Sequence, residues 1–145
     1  MNHKRIICFV ILSLISSFSI FAIAQMEIEQ WGRFEQSFNG PSSGNPFEEV
    51  NFQADFWLDG SKEKVLVTGF YDGDGKYIIR FMPSEVGTWH YQTKSNSSAL
   101  SGKKGTFQAI PAKNNKGIVR VKGWHSFEYV NGDAYHPVGT TAYAW

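Results

Sequence analysis

Cysteine is nearly missing from this chain: among 145 residues, Cys8 is the only one. A single thiol can form neither an internal disulfide nor the usual thiolate metal site. Histidine is scarce as well, and the three histidines after residue 24 (His90, His125 and His136) show no pair at metal-ligand spacing. We therefore expect no metal and no cofactor, and a fold that its hydrophobic core alone must stabilise.

An excess of charge of one sign is also missing, since 14 Lys and Arg face 13 Asp and Glu. Removing Lys4 and Arg5 with a leader would leave 12 basic against 13 acidic side chains, a net charge of about −1. No basic patch stands out, so we expect no nucleic acid partner. Helical periodicity is missing too: no stretch after the leader keeps a 3.6-residue period for three turns, so no long helix is predicted.

The beginning of the chain has the features of a secretory signal peptide. Lys4 and Arg5 precede an apolar run at residues 6–21, and Ala22-Ile23-Ala24 follows as a small-residue cleavage pattern. An uncleaved membrane anchor is the alternative, since the run is nearly long enough to span a bilayer. Because no basic cluster follows the run, we predict a signal peptide at residues 1–24. The mature protein would be secreted or periplasmic, without stable membrane insertion.

Most of the remaining chain alternates apolar and polar residues with a period of two, which is typical of half-buried strands. Turn-forming clusters of Gly, Pro, Asn, Asp and Ser separate these runs. One of them contains the formal glycosylation sequon Asn96-Ser97-Ser98, which indicates an exposed loop. The pattern predicts an all-β antiparallel sandwich. The predicted strands lie at residues 31–38, 50–56, 65–69, 77–82, 88–93 and 106–110.

The sequence Asp72-Gly73-Asp74-Gly75 could form a calcium loop, a phosphate cradle, a pair of catalytic carboxylates or a tight turn. A calcium loop needs further oxygen ligands and a final glutamate, whereas residues 76–80 (KYIIR) supply none. A phosphate cradle needs a following helix, and a strand is predicted instead. The pattern favours a hairpin turn, in which glycine provides positive φ. Calcium binding and catalysis are the less favoured alternatives.

Residues 84–91 (SEVGTWHY) resemble the corner between strands E and F of immunoglobulin-like domains, where an aromatic side chain locks the preceding loop. Together with three other motifs, this segment resembles the immunoglobulin-like N-terminal domain of bacterial glycoside hydrolases, in which an apiosidase-like (β/α)8 barrel follows the sandwich. The resemblance covers residues 31–112 and implies an immunoglobulin-like sandwich at residues 25–112. The motifs are Asn45-Pro46-Phe47-x-x-Val50, GFYDGDG at residues 69–75, Arg80-Phe81-x-Pro83 and Gly87-x-Trp89-x-Tyr91.

Residues 113–145 are predicted to be a linker and the truncated start of such a barrel. A strand at residues 116–121 precedes a hairpin with an Asn131-Gly132 turn. Residues 136–145 (HPVGTTAYAW) resemble the first barrel strand of those hydrolases. The family often carries Gly-Asp-Thr where this chain has Gly139-Thr140-Thr141, which leaves the subfamily and its sugar open. The resemblance implies that Tyr143 and Trp145 contact substrate at the end of this strand.

The function that we predict is that of a non-catalytic accessory or spacer domain of a secreted glycoside hydrolase acting on polysaccharide. The chain would be a fragment without catalytic residues, because catalytic carboxylates lie on later barrel strands. It would dock intramolecularly on the missing barrel and meet carbohydrate through the parent enzyme. The alternative is a carbohydrate-binding or adhesion module that stacks sugar rings on Trp31, Trp57 or Trp124.

Overall fold

The computed structural model describes residues 26–139, so the predicted leader and both Tyr143 and Trp145 lie outside the described residues. Within that part of the chain, no helix has the length and apolarity needed to cross a membrane. The elements are α1 at Pro46–Glu49 and eleven strands: β1 Glu27–Glu29, β2 Phe34–Asn39, β3 Phe52–Leu58, β4 Val65–Thr68, β5 Phe70–Tyr71, β6 Lys76–Phe81, β7 Gly87–Ser95, β8 Lys104–Ile110, β9 Val119–Lys122, β10 Ser126–Tyr129 and β11 Ala134–Tyr135.

The strands form an all-β sandwich and a small additional sheet. A five-stranded sheet in the order β1-β8-β7-β3-β4 packs against a three-stranded sheet in the order β2-β6-β5. The pairings are antiparallel except for β1 with β8. The third sheet, β11-β10-β9, comes after the sandwich in the chain and is called the C-terminal sheet below. The predicted antiparallel sandwich is therefore confirmed.

Aromatic side chains fill the space between the two sheets of the sandwich. Phe34 stacks on Phe107 with 4.3 Å between ring centroids, and Phe56 stacks on Phe81 at 4.2 Å. Each pair joins one sheet to the other. Full burial of one such side chain stabilises the fold by about 1.5–3 kcal/mol. This core replaces the disulfides that the chain cannot form.

The turn at residues 72–75 is a β5–β6 hairpin, as the sequence predicts. The backbone N–H of Asp72 donates to the carbonyl of Lys76 at 2.8 Å, and the N–H of Lys76 donates to Gly73 at 2.8 Å. Asp74 adopts a left-handed φ of 48°, between two glycines that also have positive φ. The Asp72 carboxylate lies 3.6 Å from the ammonium of Lys76. The Asp-Gly repeat thus provides a turn and an ion pair.

The corner at residues 84–91 is locked in the predicted way. The indole N–H of Trp89 donates to the carbonyl of Glu85 at 3.0 Å, and its ring is buried. Gly87 has a φ of 141°, and a β-carbon there would lie 2.9 Å from a methyl group of Leu58. A side chain at position 87 would therefore be strained in backbone and in space.

Two features near the beginning of the sandwich differ from the sequence prediction. The strand predicted at residues 31–38 begins only at Phe34, because residues 29–32 form a turn closed by the N–H of Gly32 on the carbonyl of Glu29. The parallel strand β1 was not predicted, since three residues are too few to show a period. Parallel pairing with β8 places this turn beside residues 110–117.

Candidate functional site

Three tryptophans are candidates for sugar stacking, and the ring of Trp57 has close neighbours. It lies on the outer face of the five-stranded sheet and is half-buried. His90 on β7 stacks on it with 5.6 Å between centroids, and the ammonium of Lys64 lies 4.8 Å from the ring centroid. His90 and Lys64 therefore cover part of the indole, and a cavity of about 200 Å³ lined by Trp57, His90 and Lys104 among others borders the rest.

Trp124 is the opposite case. It lies in the turn between β9 and β10 and is 93% exposed. The adjacent Gly123 has open space around its α-carbon. A ring this exposed provides a surface on which a sugar could stack, but no neighbouring groups that would fix the orientation of the sugar.

Trp31 has an unusual backbone conformation. It is the third residue of the turn at residues 29–32, and its φ is 65°. That position of a turn favours glycine or asparagine, because a bulky side chain at positive φ is strained. The strain is on the order of 1–3 kcal/mol and must be offset by surrounding contacts.

Those contacts connect the sandwich to the C-terminal sheet. The N–H of Trp31 donates to the carbonyl of Pro83 at 2.8 Å, and its carbonyl accepts from the side-chain amide of Asn115 at 2.7 Å. The indole lies close to Gly117, where a β-carbon would be only 3.1 Å from the ring and would clash with Val130. Trp31 therefore joins the two parts of the molecule.

Trp31 lines two cavities, and we call them together the Trp31 cleft. The first, of about 310 Å³, is lined by Trp31, Arg33, Arg80 and Met82 among others. The second, of about 430 Å³, includes Gln30, Trp31, Lys113 and Asn131 in its lining. Ligand sites commonly occur in such clefts, where a few polar groups converge beside an aromatic ring.

The carboxylate of Glu35 pairs with the two arginines that line the first cavity. The Arg80 guanidinium donates to Glu35 at 2.7 Å, and Arg33 lies 3.9 Å from the same oxygen. The hydrogen bond from Arg80 is the main reason why the pKa of Glu35 lies below its ordinary value, although burial opposes it. Glu35 is therefore ionised at neutral pH and neutralises one arginine of the two.

The C-terminal sheet has two chemically different faces. On one face, Glu128 binds Lys122 at 2.9 Å and Arg120 at 2.8 Å. The hydrogen bond from Lys122 is the main reason why the pKa of Glu128 lies below its ordinary value. The strand register places apolar and aromatic residues together on the opposite face. These are Val119, Val121, Phe127, Tyr129 and Tyr135, of which Val121 is 68% and Phe127 42% exposed.

Three ion-paired carboxyl groups of the described residues are held in their charged form. Where the pKa of such a group is shifted, as in Glu35, Glu128 and Asp133, it is lowered by basic neighbours. A catalytic acid needs a raised pKa. Residues 26–139 also contain no group of three or more potential metal-ligating side chains.

The sequence predicts that Tyr143 and Trp145 contact substrate, and this prediction is not tested because both residues lie outside residues 26–139. Trp31 was named only as one of three candidates. Its special position depends on the turn at residues 29–32, for which the only local signal is the Trp31-Gly32 pair at the end of a short strand.

Two comparisons with known proteins found matches to this chain. Residues 27–96 match the family model described as Domain of unknown function (DUF5060). A crystal structure of a "putative glycoside hydrolase" from Bacteroides vulgatus ATCC 8482 is 50% identical, with a TM-score of 0.73. The match covers 83% of this chain and 23% of that chain, so this chain spans about a quarter of its neighbour's length. No curated protein matches. The sandwich is therefore similar to one part of a larger, hydrolase-like protein.

Proposed function

We propose that this chain is the N-terminal accessory region of a secreted glycoside hydrolase that acts on polysaccharide, with an immunoglobulin-like sandwich that has no catalytic role of its own. The observation that carries the proposal is the 50% identity to the Bacteroides vulgatus protein, of which the match covers only 23%. A (β/α)8 barrel needs roughly 200 residues or more. The unmatched part of the neighbour is long enough to contain one, and the part matched here is not.

The chemistry of the described carboxylates supports a non-catalytic role. Glycoside hydrolysis requires two carboxyl groups across one sugar, one of them protonated at working pH. Glu35, Glu128 and Asp133 instead have lowered pKa values and form ion pairs with arginine or lysine side chains. On this proposal the catalytic pair belongs to the barrel, and Tyr143 and Trp145 end its first strand near the sugar.

The apolar face of the C-terminal sheet supports docking on that barrel. Val121 and Phe127 are directly paired across β9 and β10, and both are substantially exposed. Apolar patches rimmed by polar residues usually mark interaction surfaces. We propose that the catalytic domain covers this face, which would make the C-terminal sheet the connection between spacer and enzyme.

Two measurements test the proposal. Reading the coding sequence beyond the Trp145 codon should show a barrel-sized domain with a carboxylate pair, and a stop codon there would refute it. The purified chain should release no reducing sugar from a panel of plant and microbial polysaccharides. Hydrolysis by the chain alone would show that it carries its own active site.

Docking has a separate test in the full-length enzyme. Val121→Glu should lower the melting temperature of the assembly or divide its unfolding into two transitions, because a carboxylate would be buried against an apolar partner. Leu66→Glu is the matched control, since Leu66 is 55% exposed on the edge strand β4 and is paired with Asp55 on the outer face of the sandwich. Equal effects of both substitutions would contradict docking through the C-terminal sheet.

A further inference from the structure

We propose that the Trp31 cleft binds an anionic sugar unit, of the hexuronate class, in the polysaccharide on which the parent enzyme acts. This inference rests on the proposed function and adds a binding site and a ligand chemistry to it. The sugar ring would stack on the Trp31 indole, and its carboxylate would pair with Arg33 or Lys113.

The first argument is the strain at Trp31. Glycine would form the turn at residues 29–32 without strain, yet the position carries the largest side chain, at a φ of 65°. Strained backbone of this kind concentrates at sites where a side chain must be held in one orientation. The Trp31 N–H donates to the carbonyl of Pro83, and the Trp31 carbonyl accepts from the side-chain amide of Asn115. These two hydrogen bonds fix the backbone on both sides of the residue. Trp31 is thereby held in place where it lines both cavities.

The second argument is the chemistry around the ring. Sugar rings present C–H groups that pack on aromatic faces, and their substituents need polar partners at the edge. Arg33 is 70% exposed and lies only loosely, at 3.9 Å, beside a Glu35 that Arg80 already binds at 2.7 Å. Lys113 forms no ion pair with any other of residues 26–139. One cation with spare capacity therefore lines each cavity, which favours a carboxylate-bearing sugar over a neutral one.

The third argument is the contrast with the other tryptophans. His90 stacks on the Trp57 ring and Lys64 lies over it, so the cavity of about 200 Å³ beside Trp57 borders a ring that is already partly covered. Trp124 is 93% exposed in a turn. Trp31 lines two larger cavities, of about 310 and 430 Å³, and each has a cation in its lining.

Calorimetric titration of the mature chain with trigalacturonate tests the site, with maltotriose as the neutral probe. We expect trigalacturonate to bind and maltotriose to bind at least about tenfold more weakly. Raising the ionic strength should weaken trigalacturonate binding, since exposed ion pairs are screened by salt. Absence of trigalacturonate binding, or equal binding of both probes, would overturn the proposal.

Variants separate the site from the fold. Trp31→Gly keeps the turn, because glycine adopts positive φ freely, and should weaken binding about tenfold. Since it also removes the indole beside Gly117, Gly117→Ala, which disturbs that contact but leaves the indole in place, is its control for loosening of the C-terminal sheet and should retain more binding. Arg33→Gln combined with Lys113→Gln should remove most of the salt dependence while the melting temperature stays unchanged. Trp124→Ala and Lys64→Gln are the matched controls and should bind like the wild type. If the controls lose binding as strongly as the cleft variants, the sugar binds elsewhere.

The outcome can be distinguished from failure of the proposed function. A chain that binds neither sugar can still be the accessory domain of a hydrolase, as the coding sequence beyond Trp145 would show. Conversely, trigalacturonate binding with a stop codon after Trp145 would leave the cleft in place and remove the spacer role.

Discussion

Gly69 lies where the chain leaves the five-stranded sheet after β4 and enters the three-stranded sheet at β5. Its N–H donates to the carbonyl of Phe52 at 2.9 Å, so the backbone is drawn against β3. A β-carbon at this position would clash with the Phe52 ring and lie 2.8 Å from the carbonyl oxygen of Ile78. The crossing between the sheets thus depends on the absence of a single carbon atom.

Gly69→Ala should therefore destabilise the sandwich by about 1–3 kcal/mol, the usual cost of overpacking. Chemical denaturation followed by tryptophan fluorescence measures the change. Gly139→Ala is the control, because no atom of the other residues described, 26–138, lies within 4 Å of a β-carbon at that position. A wild-type midpoint for Gly69→Ala would mean that the crossing can move to admit a side chain.

Tyr77 should make the stability of the sandwich depend on pH in the alkaline range. Its ring is buried, and its hydroxyl donates to the carbonyl of Pro41 at 2.8 Å. Burial is the main cause that raises the pKa of Tyr77 above its ordinary value of 10.0, and the nearby Tyr71 adds to it. Because the folded state holds the proton more tightly than the unfolded state, this contribution is complete below pH 10 and is lost as pH rises further.

Stability should accordingly fall more steeply above pH 10 in the wild type than in Tyr77→Phe, which has no proton to lose there. The phenylalanine variant also lacks the hydrogen bond to Pro41, so the slope with pH is compared and not the absolute stability. Urea midpoints between pH 8 and 11 measure it, with Tyr135→Phe in the C-terminal sheet as control. Parallel slopes for all three proteins would contradict the assignment to Tyr77.

At the scale of elements, the sequence predicted the strands that alternate clearly and missed those that depend on tertiary contacts. β3 and β7 keep a period of two for six residues or more, whereas in β6 the apolar Ile78 interrupts the alternation and is buried as well. β1 has only three residues and exists through its pairing with β8. In the C-terminal sheet, β9 (VRVK) and β10 (SFEY) each alternate by themselves, but which residues meet across the strands depends on the register.

The same limit applies to the candidate site. An aromatic residue near position 31 can be named from composition, but its orientation depends on Pro83 and Asn115, which lie far away in the sequence. The charge balance around it depends on which arginine Glu35 binds, and only the β2–β6 register decides that.

Asn96 shows how one side chain connects two elements. Its amide nitrogen donates to the carbonyl of Glu49 at the end of α1, at 2.7 Å. Its amide oxygen accepts from the N–H of Asn51, at 2.9 Å. Although Asn96 is exposed and belongs to a sequon, both ends of the amide are engaged in holding α1 to the loop after β7.

Asn96→Ala should cost about 1–2 kcal/mol, because two backbone groups lose their partners while remaining near solvent. Asn39→Ala, an exposed asparagine on β2, should cost much less. Thermal unfolding compares the two variants. If both variants match the wild type, water replaces the Asn96 amide without loss.

At the scale of the whole molecule, the sandwich and the C-terminal sheet differ in what holds them together. The sandwich buries a continuous aromatic core between its sheets. Strands β9, β10 and β11 are short, and their exposed apolar face buries little area. Isolated small sheets are only marginally stable. The contact between Gly117, Trp31 and Val130 must therefore contribute much of the stability of the C-terminal sheet.

Gly117→Ala tests this dependence. The substitution places a β-carbon against Val130 and 3.1 Å from the Trp31 ring, at a φ of 82° that already disfavours a side chain. Hydrogen exchange should show lost protection in residues 119–135 and unchanged protection in residues 77–81, because local opening follows the weaker unit. Gly123→Ala is the control, since Gly123 has a φ of 62° but open space around it, so its effect measures backbone strain without the clash. Equal effects of the two substitutions would show that the contact with Trp31 adds nothing. Loss of protection in residues 77–81 as well would show that sandwich and C-terminal sheet unfold as one cooperative unit, in which case the C-terminal sheet needs no catalytic domain to keep it folded.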